Sequence, residues 1–183
     1  MADQALDPKE KLILLKLARH AIMESLGSGG ESPEFESSPG LRALSGAFVT
    51  LHQKGQLRGC IGTFSAQNPL EEAVQEMARA AAFQDPRFPP VQAGEVPEID
   101  IEISALTPMR EVQDLEEIEV GRHGLYVSDG PFSGVLLPQV ATEHGWDRQT
   151  FLEQTCIKAG LDRDRWRSEG LKIFVFSAEV FGE

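Results

Sequence analysis

The run LRGCIG, Leu57 to Gly62, places a cysteine beside glycines and two residues after an arginine, the pattern in this sequence best suited to chemistry. Glycines leave the backbone open to close approach, and a nearby cation favours a thiolate, the nucleophilic form of cysteine. If Lys54-Gly55 is a two-residue hairpin turn, Cys60 opposes Val49 and Arg58 opposes Leu51. Arg58 and Cys60 then share one face, while His52, opposite Leu57, points to the other. His52 becomes a base for the thiol only where a bulge shifts the register. In this reading Cys60 is the nucleophile and Arg58 its helper, which requires solvent access to the sulfur. The alternative is a small hydrophobe packed in a strand. For Cys156, on a helical apolar stripe, packing is the favoured role.

Further residues suit a binding surface. In AAFQDPRFPP, Ala81 to Pro90, Asp85 precedes a proline that biases it away from helix and holds Arg87 close. The pair reads either as a local ion pair at a helix end or as a charged, rigid, ligand-facing loop. Glu102 in the alternating DIEIS run is a solvated strand residue or an acid–base group. Together with Gln139, these residues are expected to line a cleft between two halves of the chain. His20, His52, His123 and His144 show no metal-ligand spacing, and Walker, GxGxxG and GxSxG patterns are absent. No cofactor or metal is therefore implied. Trp146 and Trp166 read as packing anchors.

The elements that must position these residues follow from periodicity and punctuation. Asp7 to Leu26 reads as a helix, capped by Asp7 with Pro8 in the first turn, with Leu12, Leu15, Ile22 and Leu26 near one face. Gly27 to Gly40 is rich in Gly, Ser, Pro and Glu and predicts a mobile loop. Beyond it, 41–106 and 118–181 read as two halves, each strand, strand, helix, strand. Lys54-Gly55 aligns on Asp129-Gly130 and Gly59 on Gly134, which suggests an internal duplication. The first half places a helix at Leu70 to Phe83, capped by Asn68 and started by Pro69, then a strand alternating at Ile99, Ile101 and Ile103. The second places a helix at Asp147 to Ala159, stopped by Gly160, and a strand at Lys172 to Val180. The expectation is one α+β domain over 1–183 with mainly antiparallel sheet and an extra N-terminal helix.

The balance of 17 Lys and Arg against 29 Asp and Glu gives a net charge of −12 over 183 residues, which disfavours nucleic acid and anionic lipid as partners. No stretch approaches the roughly 18–20 apolar residues that a bilayer needs, and Met1 to Glu10 is polar without a signal-peptide pattern. Two cysteines with no Cys-x-x-Cys pair fit a reducing compartment, so the expected location is the cytoplasm.

The strings GAFVTLHQKGQLRGCIGTF, AAFQDPRFPP, PEIDIEISALTP, DLEEIEVGRHGL, GVLLPQVATEHGWD and FLEQTCIKAGL, in this order from about Asp7 to Phe181, closely resemble the AMMECR domain family (Alport syndrome, mental retardation, midface hypoplasia and elliptocytosis chromosomal region). The resemblance implies a compact α+β fold with two related halves, and a bacterial or archaeal relative of the human protein. It also implies association with Memo-like and radical-SAM proteins, and a functional role for the LRGCIG block. Two readings follow. One is a thiol-dependent enzyme or enzyme component acting through Cys60 and Arg58 on a small anionic or nucleoside-like substrate. The other is a non-catalytic module or adaptor that docks on a Memo-like or radical-SAM partner.

Overall fold

Asp7 starts the first helix, α1 (Pro8–Ser25), through a capping box: its carboxylate accepts from the Glu10 N–H at 2.8 Å, and the Glu10 carboxylate accepts from the Asp7 N–H at 2.9 Å. This is a computed structural model and it describes residues 5–183; residues 1–4, the start of the polar N-terminal stretch, lie outside the described residues. The chain forms two units: one takes the chain up to Leu106 together with Glu179–Glu183, the other is Thr107–Ala178.

In the first unit, α1 buries Leu14, Leu15, Leu17, Ala18, Ala21 and Ile22. Leu12, expected on this stripe, is 52% exposed because at 100° per residue it falls just beyond the edge of the buried arc. The segment from Gly27 to Gly40 is irregular up to Ser38 and is tied to the unit at its C-terminal end. Phe35 packs on the core, Ser37 Oγ donates to Glu71 at 2.8 Å, and Ser38 caps a short helix, α2 (Pro39–Arg42). Two strands follow, β1 (Ala47–Gln53) and β2 (Gln56–Thr63). Their turn puts Lys54 and Gly55 at φ 53° and 76°, the left-handed pair that a two-residue hairpin requires. Helix α3 (Leu70–Phe83) starts at Pro69 without a side-chain cap, and Asn68, expected to cap it, instead lends its backbone oxygen to the Ser45 N–H at 3.2 Å.

Strand β3 (Ile99–Leu106) completes an antiparallel order β2-β1-β3. Ala47, Val49 and Leu51 of β1 and Ile99, Ile101 and Ile103 of β3 join α1 and α3 in one core. The period of two therefore sends Phe48, Thr50 and His52 to the other face of the sheet.

The second unit comprises β4 (Arg110–Glu111), β5 (His123–Asp129), β6 (Phe132–Leu136), α4 (Pro138–Glu143), α5 (Arg148–Lys158) and β7 (Lys172–Gly182), whose last residues from Glu179 belong to the first unit. Asp147 caps α5 by accepting from the Thr150 N–H at 2.8 Å, and Gly160, at φ 79°, follows its end. The strands are antiparallel in the order β6-β5-β7, with β4 paired to β7. Leu125, Val127, Phe151, Leu152, Ile173 and Val175 fill the core. Both units thus run strand, strand, helix, strand with the first strand in the middle. The fold is α+β with antiparallel sheet and an added N-terminal helix.

One detail of the expected alignment changes. The second hairpin turns at Gly130-Pro131, one residue later than expected, because Asp129 pairs with Phe132. Gly59 and Gly134 still correspond because β2 carries one extra residue. Among the described residues, no helix is long and apolar enough to cross a membrane.

Candidate functional site

The extra residue is Arg58. Next to the turn His52 pairs with Leu57, as expected, but beyond it Leu51 pairs with Gly59 and Thr50 with Cys60, so that Arg58 forms a β-bulge. The expected oppositions of Cys60 to Val49 and of Arg58 to Leu51 are therefore incorrect. A one-residue slip exchanges the faces of a strand, so Cys60 lies on the side of Thr50 and His52.

The glycines around Cys60 have separate structural reasons. A Cβ on Gly59 would lie 2.2 Å from the Ala81 backbone oxygen, so Gly59 lets the end of α3 approach the strand. A Cβ on Gly62 would lie 2.2 Å from the ring of Phe48, which covers it and meets Phe64 edge-on at 4.9 Å. Gly134 in the second unit does what Gly59 does: its Cβ would lie 2.5 Å from the Ala159 nitrogen at the end of α5.

Across the first unit's sheet, Thr50 pairs on one side with Cys60 and on the other with Glu102, while His52 pairs with Asp100. Cys60, Thr50, His52 and Glu102 are all half-buried on one face, and Asp100 is exposed there. The Thr50 hydroxyl donates to Cys60 Sγ at 3.2 Å. Strand spacing puts the Cys60 and Glu102 backbones about 10 Å apart with Thr50 between them. Neither His52 nor Glu102 has a polar side-chain partner among the described residues. Glu102 is thus neither a fully solvated strand residue nor tied into an ion pair.

Arg58 does not serve the sulfur. The bulge swings it out to Glu95, which accepts from Nε at 2.9 Å and Nη2 at 3.1 Å, while the Pro89 oxygen accepts from Nη1 at 2.9 Å. The same fork holds the Glu95 carboxyl below its usual range. Arg58 therefore ties the loop after α3 to β2, and its charge is spent on that clamp.

Asp85 and Arg87 act on the backbone of Cys60. The Asp85 carboxylate, 2% exposed, accepts from the Cys60 N–H at 2.9 Å and from Arg87 through its N–H (3.1 Å), Nε (2.9 Å) and Nη2 (2.7 Å). Arg87 Nη2 in turn donates to the Cys60 oxygen at 3.4 Å. These bonds, Arg87 first and the Cys60 N–H second, hold the Asp85 carboxyl far below the ordinary carboxylate range despite its burial. The Asp-Pro-Arg corner thus satisfies the outer edge of β2 at Cys60, where a further strand would otherwise pair.

Gln139 is an exposed residue of the second unit, on the first turn of α4, and its backbone oxygen accepts from Thr142 Oγ1 at 2.9 Å. Cys156 is fully buried in the second unit's interior, and burial pushes its thiol up. Residues not recognised in the sequence are Thr50 and Glu95. The alternation in AFVTLHQ marks Thr50 as outward-facing, but no local signal ties Glu95 to Arg58, 37 residues away.

The second unit provides a comparison built from the same fold. The residues matching Cys60, Thr50 and Glu102 in strand position are Val135, Tyr126 and Phe174, which pair in the same way. That row is largely apolar, with the Tyr126 and Phe174 rings 5.8 Å apart. The fold therefore does not demand a thiol, a hydroxyl and a carboxylate here. Among the described residues, no group of three His, Cys, Asp or Glu side chains is placed to hold a metal ion.

Known proteins agree with this architecture. The AMMECR1 family model matches residues 15–181. A protein of Methanopyrus kandleri is 45% identical over 96% of this chain and 89% of its own, and one of Nanoarchaeum equitans is 40% identical over 93% of this chain and 98% of its own. The crystal structure of an uncharacterized protein from Pyrococcus horikoshii, 44% identical, covers 93% of this chain and 89% of its own with a TM-score of 0.75. With the family model spanning nearly the whole chain and relatives matched almost end to end, the chain belongs to the AMMECR1 family.

Proposed function

We propose that the protein is a cytoplasmic thiol-dependent enzyme or enzyme component, with Cys60 as nucleophile and the β1–β2–β3 face around it as the surface that receives a small molecule. The carrying observation is the Thr50 hydroxyl donating to Cys60 Sγ on a half-buried face that also holds Glu102, which has no hydrogen bond or ion pair among the described residues. The apolar counterpart row in the second unit supports it, since packing alone is met there by Val135, Tyr126 and Phe174. The strand pairing common to the two units, with Gly59 and Gly134 each admitting the end of a helix, supports reading them as copies of one ancestral unit. Asp85, Arg87 and Arg58 are positioning residues, because they fix the Cys60 backbone and the adjoining loop. Two free cysteines fit a reducing compartment.

The substrate expectation changes. An anionic or nucleoside-like molecule was suggested by Arg58 beside the thiol, but Arg58 pairs with Glu95 and Arg87 with Asp85. Arg87 nevertheless stays 55% exposed with Cys60 within its electrostatic reach, while Glu102 and Asp100 lie across the sheet, so the surface offers both signs of charge to a small polar molecule, a nucleoside-like one included.

A panel of small neutral electrophiles, read by intact mass and peptide mapping, tests this reading. Selective modification of Cys60 over Cys156 is expected, with loss of the adduct in Cys60→Ser. Docking on a Memo-like or radical-SAM partner is the second reading, favoured by the 41% exposed Leu57 at the hairpin tip. Protection of Cys60 in the folded protein, with Cys60→Val fully tolerated, would select it over thiol chemistry.

A further inference from the structure

The bulge at Arg58 moves Cys60 to the face of His52, the condition under which this histidine can serve the thiol. Cys60 opposes Thr50, so it is a diagonal neighbour of His52, about 7–8 Å away between backbones and within reach of an imidazole. On its other side His52 directly opposes Asp100, with about 4.5–5.5 Å expected between their Cβ atoms. Sulfur, imidazole and carboxylate thus lie on three adjacent strands and share one face. His52 is half-buried and makes no hydrogen bond or ion pair among the described residues, so neither ring nitrogen is committed to another group. In the second unit, the matching residues are Val135, Ser128 and Lys172, the last two paired as His52 and Asp100 are. The strand scaffold is again indifferent to these three identities.

The geometry points to His52 as the proton acceptor for Cys60, with Asp100 as the residue that orients the imidazole; this rests on the reading of Cys60 as nucleophile. The Cys60 S–H bond breaks and its proton passes to a ring nitrogen of His52. The sulfur then attacks a carbon electrophile. With iodoacetamide an S–C bond forms, the C–I bond breaks and iodide leaves, and the imidazolium returns its proton to solvent. The charged or titratable groups facing His52 are Cys60 from β2 and Asp100 and Glu102 from β3, and Leu57 opposite it on β2 is apolar. An imidazole and a thiol often meet only when a ligand closes the site, so a separation in the free protein is compatible with this role.

The test is the rate of iodoacetamide alkylation at Cys60 at pH 7 in the full chain, in wild type, His52→Gln, His52→Ala and Asp100→Asn. A free thiol is only a few per cent thiolate at pH 7, so loss of the acceptor is expected to slow the reaction about tenfold or more. Added imidazole should restore part of the rate in His52→Ala, which a purely structural role would not produce. Asp100→Asn should slow the reaction less. A His52→Gln rate within about twofold of wild type overturns this inference while leaving Cys60 a nucleophile. A wild-type rate no faster than in the unfolded chain overturns the nucleophile reading and this one with it. Should His52→Gln fail to fold, a His52→Ala rate within about twofold of wild type overturns the assignment, and an unchanged rate in Asp100→Asn removes Asp100 from it.

Discussion

Asp85 shows at the scale of one residue how the site is held. Its buried carboxylate serves both the Cys60 N–H and Arg87, so Asp85→Asn leaves Arg87 without its counter-charge and weakens the grip on β2. We expect Tm to fall by roughly 5–10 °C and Cys60 to become more variable in reactivity. Thermal melts paired with alkylation kinetics check this, and an unchanged Tm would remove Asp85 from the account. The identities of Cys60, Arg58, Asp85, Arg87 and Glu102 stand out in the sequence, but their division of labour does not. A cation two residues from a thiol looks like its helper, yet Arg58 finds Glu95 instead, and only the three-dimensional path of the loop after α3 makes that partner available.

Elements fix which way each side chain points. Gly59 faces the end of α3 and Gly62 lies under Phe48, so the same substitution has unequal costs. Gly59→Ala meets a backbone oxygen that cannot move aside and should cost about 3 kcal/mol, whereas Gly62→Ala meets the Phe48 side chain, which can repack only by shifting against Phe64, and should cost about 2 kcal/mol. Urea denaturation of the two variants checks the order; a reversed order would place the helices on the wrong face of the sheet. At the bulge, Glu95→Gln should loosen Arg58 and raise amide exchange over Leu57 to Cys60 with little effect on α5. Helices α1 and α5 are legible because their signals are local: Asp7 with Glu10, and Asp147 with the Thr150 N–H. The bulge has no such signature, since Leu57-Arg58-Gly59 reads as an ordinary strand. That single unread residue reverses the side on which His52 stands relative to Cys60.

For the whole molecule the shared order of strands was legible from the repeated pattern, while the contrast between the two rows was not. It depends on which residues pair across strands, as Thr50 does with Cys60 and Tyr126 with Val135. Acid provides a global test of the electrostatics. Asp85, Glu95, Glu117, Asp147 and Glu153 are all held below their usual ranges, chiefly by Arg87, Arg58, Arg110, the Thr150 N–H and Arg163 respectively. A carboxylate depressed by folding stabilises fully above its unfolded value, about 4, and loses that contribution as pH falls through the folded value. Tm should therefore be nearly flat from pH 8 to about 5.5 and fall steeply below about pH 4. Scanning at low protein concentration avoids precipitation near the pI of about 4.8. A Tm that rises on acidification would contradict these ion pairs.

The central claim is that Cys60 is a working thiol, and the rate constant for its alkylation by iodoacetamide at pH 7 tests it most directly. Folded and urea-unfolded protein are compared, with buried Cys156 as an internal reference. The account predicts that Cys60 reacts about tenfold faster in the folded chain than in the unfolded one, while Cys156 is protected until unfolding. A Cys60 slowed by folding, alongside Cys156, would contradict it and make the thiol part of the packing.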